Sequence, residues 1–361
     1  MKSFVYVSQP ARVVFGAGAV AKLPAEVEKL GAKRALVLST PGRAAEAKRL
    51  TASLGERVAG IYDKAVLHVP IEVAEDARRV AKELGADCCV AVGGGSTVGL
   101  GKAIALTSGL PVVAVPTTYS GSEMTSAQGF VEGGVKTVKL DPRMQPRTVI
   151  YDPELTLGLP PAISAASGMN ALAHCAEALY AQNSNPVVQL MAEEGMRALG
   201  ASLPVIVKNP RDLEARGEAL YGAWLAGVSL AAGGMALHHK LCHTLGGTWN
   251  LPHAETHAIV LPHALAYNRE AAPEAMARMA RALGVEDAPT GIYELEKKLG
   301  LRMRLADLGL TEADLERAAK LATSAPYPNP APVIYEGVLA LLRNALIGDR
   351  PQFSHLRPVR K

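Results

Sequence analysis

At 361 residues the chain is too long for one typical hydrophobic core, so two domains of roughly 150–200 residues each are expected. Its 49% hydrophobic and 20% charged residues describe an ordinary globular protein and exclude a disordered one. A net charge of +4 without any Lys/Arg-rich run argues against a nucleic-acid partner, and four cysteines without a CxxC pair exclude a disulfide scaffold.

The N-terminus lacks a signal-peptide core, and no stretch approaches the roughly 18 uncharged apolar residues of a membrane span. A cytoplasmic protein without a membrane partner is the expectation. Residues 4–7 and 12–15 read as a separate edge hairpin. Short β-branched runs at 34–39, 58–62, 87–92, 111–115 and 148–151 then alternate with helical patterns at 18–30, 44–54, 71–84 and 97–107. Such alternation predicts an α/β domain over residues 1–153, with a parallel sheet covered by helices.

Beyond Asp152-Pro153 the character changes. Ala-, Leu-, Glu- and Met-rich segments at 163–181, 187–203, 211–232, 235–245, 272–283, 291–299, 311–321 and 333–347 predict an all-helical domain over residues 154–361. A cleft between the domains is the natural place for a ligand.

Two loops in the first domain suit phosphate. Gly93-Gly94-Gly95-Ser96 sits where a buried strand meets a helix, so close backbone approach and free N–H groups coincide there. It matches neither GxGxxG nor GxxxxGK[ST], and alone it reads as a tight turn. A second loop after the next strand, Pro116-Thr117-Thr118-Tyr119-Ser120-Gly121-Ser122-Glu123, is rich in hydroxyls. The pair favours a bound dinucleotide over two incidental turns.

In the second domain, five of the nine histidines lie between His238 and His257, namely His238, His239, His243, His253 and His257, and His263 follows at once. His239 and His243 share a helix face, as do Asn170 and His174. One such histidine is best explained by a local hydrogen bond. Six together point to an active site, because imidazole serves both proton transfer and metal ligation.

Taken with Phe15-Gly-Ala-Gly18, Gly121-Ser-Glu123, Gly168-Met169 and Leu261-Pro-His263, these segments resemble the iron-containing alcohol dehydrogenase superfamily over nearly the whole chain. The resemblance implies a Rossmann-like dinucleotide-binding domain, a helical catalytic domain and a homodimer. Superfamily members usually hold a divalent metal with one Asp and three His, matched here by Asn170, His174, His239 and His253. His243 matches a histidine near the nicotinamide. Asn170 in place of Asp, Gly99 in place of Asp, His257 in place of Asn, and Tyr327-Pro-Asn-Pro330 make the chain similar to the maleylacetate reductase branch.

That branch reduces the conjugated double bond of maleylacetate to 3-oxoadipate with NADH or NADPH, in bacterial breakdown of aromatic compounds. The implied catalytic set is His243, His253 and His239. Asn170, His174, Lys240 and Trp249 would bind the small dicarboxylate substrate. Gly93, Gly94, Gly95, Ser96, Thr117, Thr118, Ser120, Thr125 and Lys136 would bind the cofactor, with Thr40 where NAD-specific relatives carry an Asp. That Asp binds the adenine ribose and repels a 2′-phosphate, so its loss predicts use of both cofactors, with Arg43 nearby as a weak attraction or a solvated side chain.

Losing the carboxylate at Asn170 removes a negative charge from the site, so no catalytic metal is expected; were one held, its ligands would be His174, His239 and His253. Lys240 and Lys102 have solvated alternatives, Trp249 and Tyr119 read equally as packing, and Glu123 as a loop former. The rival functions are a metal-dependent alcohol or aldehyde dehydrogenase, a dehydroquinate-synthase-like lyase and a non-catalytic dinucleotide binder.

Overall fold

The computed structural model describes residues 11–66, 69–132 and 135–351 together with Phe4 and Tyr6, the side chains of 131–137 excepted. Its strands are β1 (Arg12–Phe15), β2 (Ala35–Leu38), β3 (Val58–Tyr62), β4 (Cys88–Gly93), β5 (Val112–Pro116), β6 (Ala127–Glu132), β7 (Val135–Leu140) and β8 (Thr148–Tyr151). Six of them form one parallel sheet in the order β1-β8-β5-β4-β2-β3. The period-2 alternation of side chains sorts the core into two faces. Leu36, Leu38, Cys89 and Ala91 pack with Ala74 and Ala77 of α3 (Ile71–Glu83) and Leu100 and Ile104 of α4 (Gly95–Ser108). Ala35, Val37, Cys88, Val90 and Val92 pack on the other side with Leu23 and Val27 of α1 (Leu23–Lys29) and Ala47 and Leu50 of α2 (Ala44–Leu50). Each fully buried Leu or Val there contributes roughly 1.5–3 kcal/mol.

Two expectations for this half change. The edge hairpin is not formed by β1, which pairs parallel to β8 and joins the main sheet; of residues 4–7 only Phe4 and Tyr6 are described. An unforeseen antiparallel hairpin, β6 with β7, stands outside the sheet.

The second half is helical: α5 (Pro161–Tyr180), α6 (Pro186–Lys208), α7 (Leu213–Gly233), α8 (Leu237–Trp249), α9 (His253–Asn268), α10 (Pro273–Leu283), α11 (Ala288–Lys298), α12 (Glu312–Ala322) and α13 (Tyr335–Ile347). A core of Leu241, Leu245, Ile259, Val260, Leu315, Leu342 and neighbours joins α8, α9, α12 and α13. Helix α9 was not expected, because Pro252 precedes it and Pro262 lies inside it, where proline costs a backbone hydrogen bond. Among the described residues no single helix is long and apolar enough to cross a membrane.

The division between the halves also departs from 153/154. Residues 11–159, as far as they are described, form one compact unit with Arg211–Leu220; Pro160–Pro210 and the described residues from Tyr221 form the other, together with Phe4 and Tyr6. Fully buried Arg216 explains the exchange: it donates to the Tyr119 hydroxyl at 2.9 Å and to the Leu159 carbonyl at 2.9 Å, so the start of α7 belongs with the sheet.

His263 lies inside α9, and burial pushes it down to about 4. The unfolded chain takes up that proton near pH 6.5 (about the free imidazole value), the folded chain only near 4. Stability from the neutral ring is therefore present above about pH 6.5 and is lost as pH falls toward 4, by at most ~3 kcal/mol. Urea midpoints should fall between about pH 7.5 and 5, and His263→Gln should fall measurably less than wild type. Equal losses would remove His263 from the acid response.

Candidate active site

In the α/β unit the two expected loops lie against one another. Strand β4 ends at Gly93, whose φ of 150° suits glycine, and α4 begins two residues later with Gly94 as its N-cap and no acidic residue in its first turn. The Thr117 N–H donates to the Gly93 carbonyl at 3.0 Å. A Cβ on Gly94 would stand 2.9 Å from Thr118, and one on Gly95 3.0 Å from the Ser120 hydroxyl. The glycines are therefore required because the hydroxyl loop covers them. The half-buried Ser96, Thr117, Thr118 and Ser120 surround a helix N-terminus whose N–H groups and dipole favour an anion.

Other residues named for this end have different work. Lys102 does not face solvent: it is fully buried and donates to the Ser122 carbonyl, to Thr125 Oγ1 at 2.9 Å and to the Ala127 carbonyl at 3.0 Å. Burial pushes its amine down to about 7, against the pull of nearby Glu123. Thr125 is thereby committed to this staple, its own hydroxyl donating to Ser122 at 3.1 Å. Glu123 is buried, accepts from the Tyr151 hydroxyl at 2.7 Å, and is raised by burial. Tyr119 is core, fixed by Arg216. Lys136 sits on β7 opposite Val131, its side chain outside the described residues. Thr40 follows β2, and exposed Arg43 pairs with Glu46 at 2.9 Å. At Gly99 a Cβ would meet the Gln128 amide at 2.8 Å and Val69 at 2.9 Å, so Gln128 occupies the space of the missing Asp.

In the helical unit three helices bring the histidines together. Helix α5 carries Asn170, His174 and Glu177 at i, i+4 and i+7, one face of a 3.6-residue period. Helix α8 carries His238, His239, Lys240 and His243; α9 carries His253 and His257. The His174 and His239 rings stack with centroids 5.1 Å apart, and His239 and His243 are 6.0 Å apart. His243 stacks on His253 at 6.3 Å, and His253 lies 4.1 Å from His257. His257 is the hub, 4.9 Å from both His238 and His239. Burial lowers His174 and His257 well below the ordinary imidazole value, and their histidine neighbours add to it. His263 is lowered by burial alone, which sets it apart from this cluster.

Glu177, which the sequence reading left without a role, organises the group. Its fully buried carboxylate accepts from His239 Nδ1 at 2.7 Å, from the Ala236 N–H at 2.8 Å and from the His238 N–H at 2.7 Å. Burial would raise this carboxyl, but His239, His238 and the Ala236 N–H outweigh it and hold it below its usual value. The spacing was a readable signal, because Glu177 lies three residues after His174 on the same face. With Nδ1 engaged, His239 Nε2 is left buried without a hydrogen-bond partner, as are His174 Nδ1 and both ring nitrogens of His257. Buried polar atoms without partners are rare, and a cluster of them marks a place built for a ligand.

Two expected substrate residues lie at the margin. Lys240 places Nζ 5.9 Å from the Tyr327 ring centre. Trp249 donates from Nε1 to Asp314 at 2.9 Å and is capped by Arg317, so α12 holds it.

A divalent cation fits the donors in number but poorly in charge. His174, His239 and His253 would supply neutral imidazoles, Asn170 an amide, and the one carboxylate, Glu177, stands behind His239 as a metal-orienting group does. Liganding nitrogens of His238, His239 and His257 also lie within 4.8 Å of one another. His238 is already committed, with Nε2 2.9 Å from the His257 carbonyl and Nδ1 3.4 Å from His239 Nδ1.

Comparison with known proteins agrees with both halves. Residues 10–153 match the family model described as iron-containing alcohol dehydrogenase, and residues 164–346 match the model of the C-terminal part of that family. A maleylacetate reductase of Burkholderia cepacia is 56% identical over 97% of this chain and 100% of its own. Crystal structures of maleylacetate reductases from Agrobacterium tumefaciens and a Rhizobium species superpose with TM-scores of 0.94 and 0.93 at 50% identity, each over 97% of this chain and 100% of theirs.

Proposed function

The chain belongs to the iron-containing alcohol dehydrogenase family, as an NAD(P)-dependent oxidoreductase of its maleylacetate reductase group, and we infer from its residues how it reduces the conjugated double bond of maleylacetate to 3-oxoadipate. The observation that carries this reading is the donor set: uncharged Asn170 beside a cluster of imidazoles with buried, unpartnered nitrogens at His174, His239 and His257. A dianionic substrate is better received there than at a site with an anionic metal ligand.

A reduced nicotinamide cofactor, held by Gly93, Gly94, Gly95, Ser96, Thr117 and Thr118, would supply hydride from C4 to the alkene carbon β to the ketone. The electron pair of the double bond moves onto the ketone oxygen as an enolate, which then takes a proton on the neighbouring carbon. Such a step needs an oxyanion partner and a proton donor. His243 and His253 suit both tasks, being the partly exposed members of the cluster, while His238 and His257 are fully buried. Glu177 fixes the His239 tautomer, so Nε2 meets the substrate. Asn170 and His174 hold the substrate, with Lys240 for a carboxylate. A divalent ion, when bound by His174, His239 and His253, would polarise the same ketone oxygen; conjugate reduction is served equally by imidazole.

Mixing the protein with maleylacetate and NADH should consume nicotinamide absorbance and yield 3-oxoadipate. Turnover of simple aldehydes with none of maleylacetate would favour the alcohol dehydrogenase rival. His243→Ala should lower kcat by about two orders of magnitude or more; near-full activity would take His243 out of the mechanism. Chelator-treated enzyme should keep its activity, and Asn170→Asp should bind zinc more tightly while raising the KM of the dianion. Activity lost to chelator and restored by zinc or iron would overturn the metal-free reading. NADH and NADPH should both serve, since Thr40 carries no charge and Arg43 is engaged by Glu46. Thr40→Asp should raise the KM for NADPH about tenfold or more over that for NADH. A wild type that already rejects NADPH by about a thousandfold would assign the choice to another group.

A further inference from the structure

The segment Tyr327-Pro-Asn329-Pro330 takes no part in this chemistry, yet it holds the helix that carries it. Helix α8 begins with N–H groups that its own turns cannot satisfy. Glu177 accepts from Ala236 and His238. The one between them, the Leu237 N–H, donates to Asn329 Oδ1 at 3.3 Å.

Asn329 is itself locked. Its amide nitrogen donates to Asn268 Oδ1 at 2.7 Å and to the Ala331 carbonyl at 2.8 Å, using both hydrogens. Fully buried Asn268, the last residue of α9, returns a bond from its amide to Asn329 Oδ1 at 3.0 Å, and its Oδ1 also accepts from the Ala331 N–H at 3.3 Å. The Ala331 carbonyl, which needs a donor, and the Ala331 N–H, which needs an acceptor, leave the pair one orientation, in which Asn329 Oδ1 faces α8. The same segment carries Tyr327, whose ring lies beside Lys240.

We propose that Asn329, locked by Asn268, is a positioning residue that sets the height and rotation of α8 and thereby aims His239 and His243. This rests on reading the histidine cluster as the site of reduction. A displacement of about 1 Å at reacting groups costs roughly a hundredfold in rate, so a shift at Leu237 reaches the chemistry two and six residues on.

The test compares Asn329→Ala with Asn329→Asp, which keeps an acceptor for Leu237 but loses the donor to Asn268 and Ala331. Folded Asn329→Ala should lose about tenfold or more in kcat while the KM for NADH stays within about twofold. Asn329→Asp should lie between it and wild type. In nitrogen-15 spectra of the imidazoles, the His239 and His243 signals should move in both variants and that of His263 should not. A merely structural role would lower the melting temperature and leave kcat and these signals unchanged, which overturns the proposal, as does an Asp variant no better than Ala. Should Asn329→Ala not fold, Asn329→Asp alone decides by the same two readings. If wild type fails to reduce maleylacetate, the functional reading falls, and the spectra still decide the positioning.

Discussion

The carboxylate of Glu177 is the group on which the arrangement of the helical half depends. Taking an ionised carboxylate out of water costs several kcal/mol unless donors replace the lost hydration. Here they do: two backbone N–H groups at the start of α8, the His239 ring and, at 3.5 Å, the Tyr180 hydroxyl. The positive end of α8 adds its field. A charge so placed stabilises only one seating of α8 against α5, because any other leaves it unpaired. Stacking of His239 on His174, and the lack of a partner for its buried second nitrogen, follow from that seating.

The two units present their polar groups by opposite means. At the α4 end backbone N–H groups are offered and side chains give way to room: Gly94 and Gly95 lie beneath Thr118 and Ser120, and Gly93 lies against Thr97. At the histidine end side chains carry the unpartnered polar atoms, and Glu177 and Asn329 tie down the backbone at the start of α8. Lys102 and Arg216 are buried cations serving as ties, one across the loop after β5 and the other between the start of α7 and Tyr119.

Much of this was legible in the sequence where period and chemistry coincide. The parallel strands announce themselves by unbroken apolar runs, and the i, i+4 spacings of Asn170 with His174 and His239 with His243 place those pairs on shared faces. Helix α9 was hidden because Pro252 and Pro262 punctuate it, although a helix buried on nearly all sides tolerates an internal proline when packing offsets the lost bond. The β6–β7 hairpin was overlooked despite the Gly133-Gly134 pair between two alternating runs, itself a hairpin signal. Long-range ties were not legible at all. Lys102 looks solvated and Trp249 looks free to touch substrate until the fold brings Ser122 to one and Asp314 to the other.

Gly99 and Gln128 show how such ties constrain change. With no side chain at 99, the Gln128 amide has settled into the vacated volume and donates to the Gly129 carbonyl at 2.8 Å, with Val69 packed alongside. A side chain at 99 would have to displace polar atoms 2.8 and 2.9 Å away. Position 99 is therefore coupled to two neighbours at once: a side chain restored there must move both the Gln128 amide, the flexible end of its side chain, and Val69, 2.9 Å away.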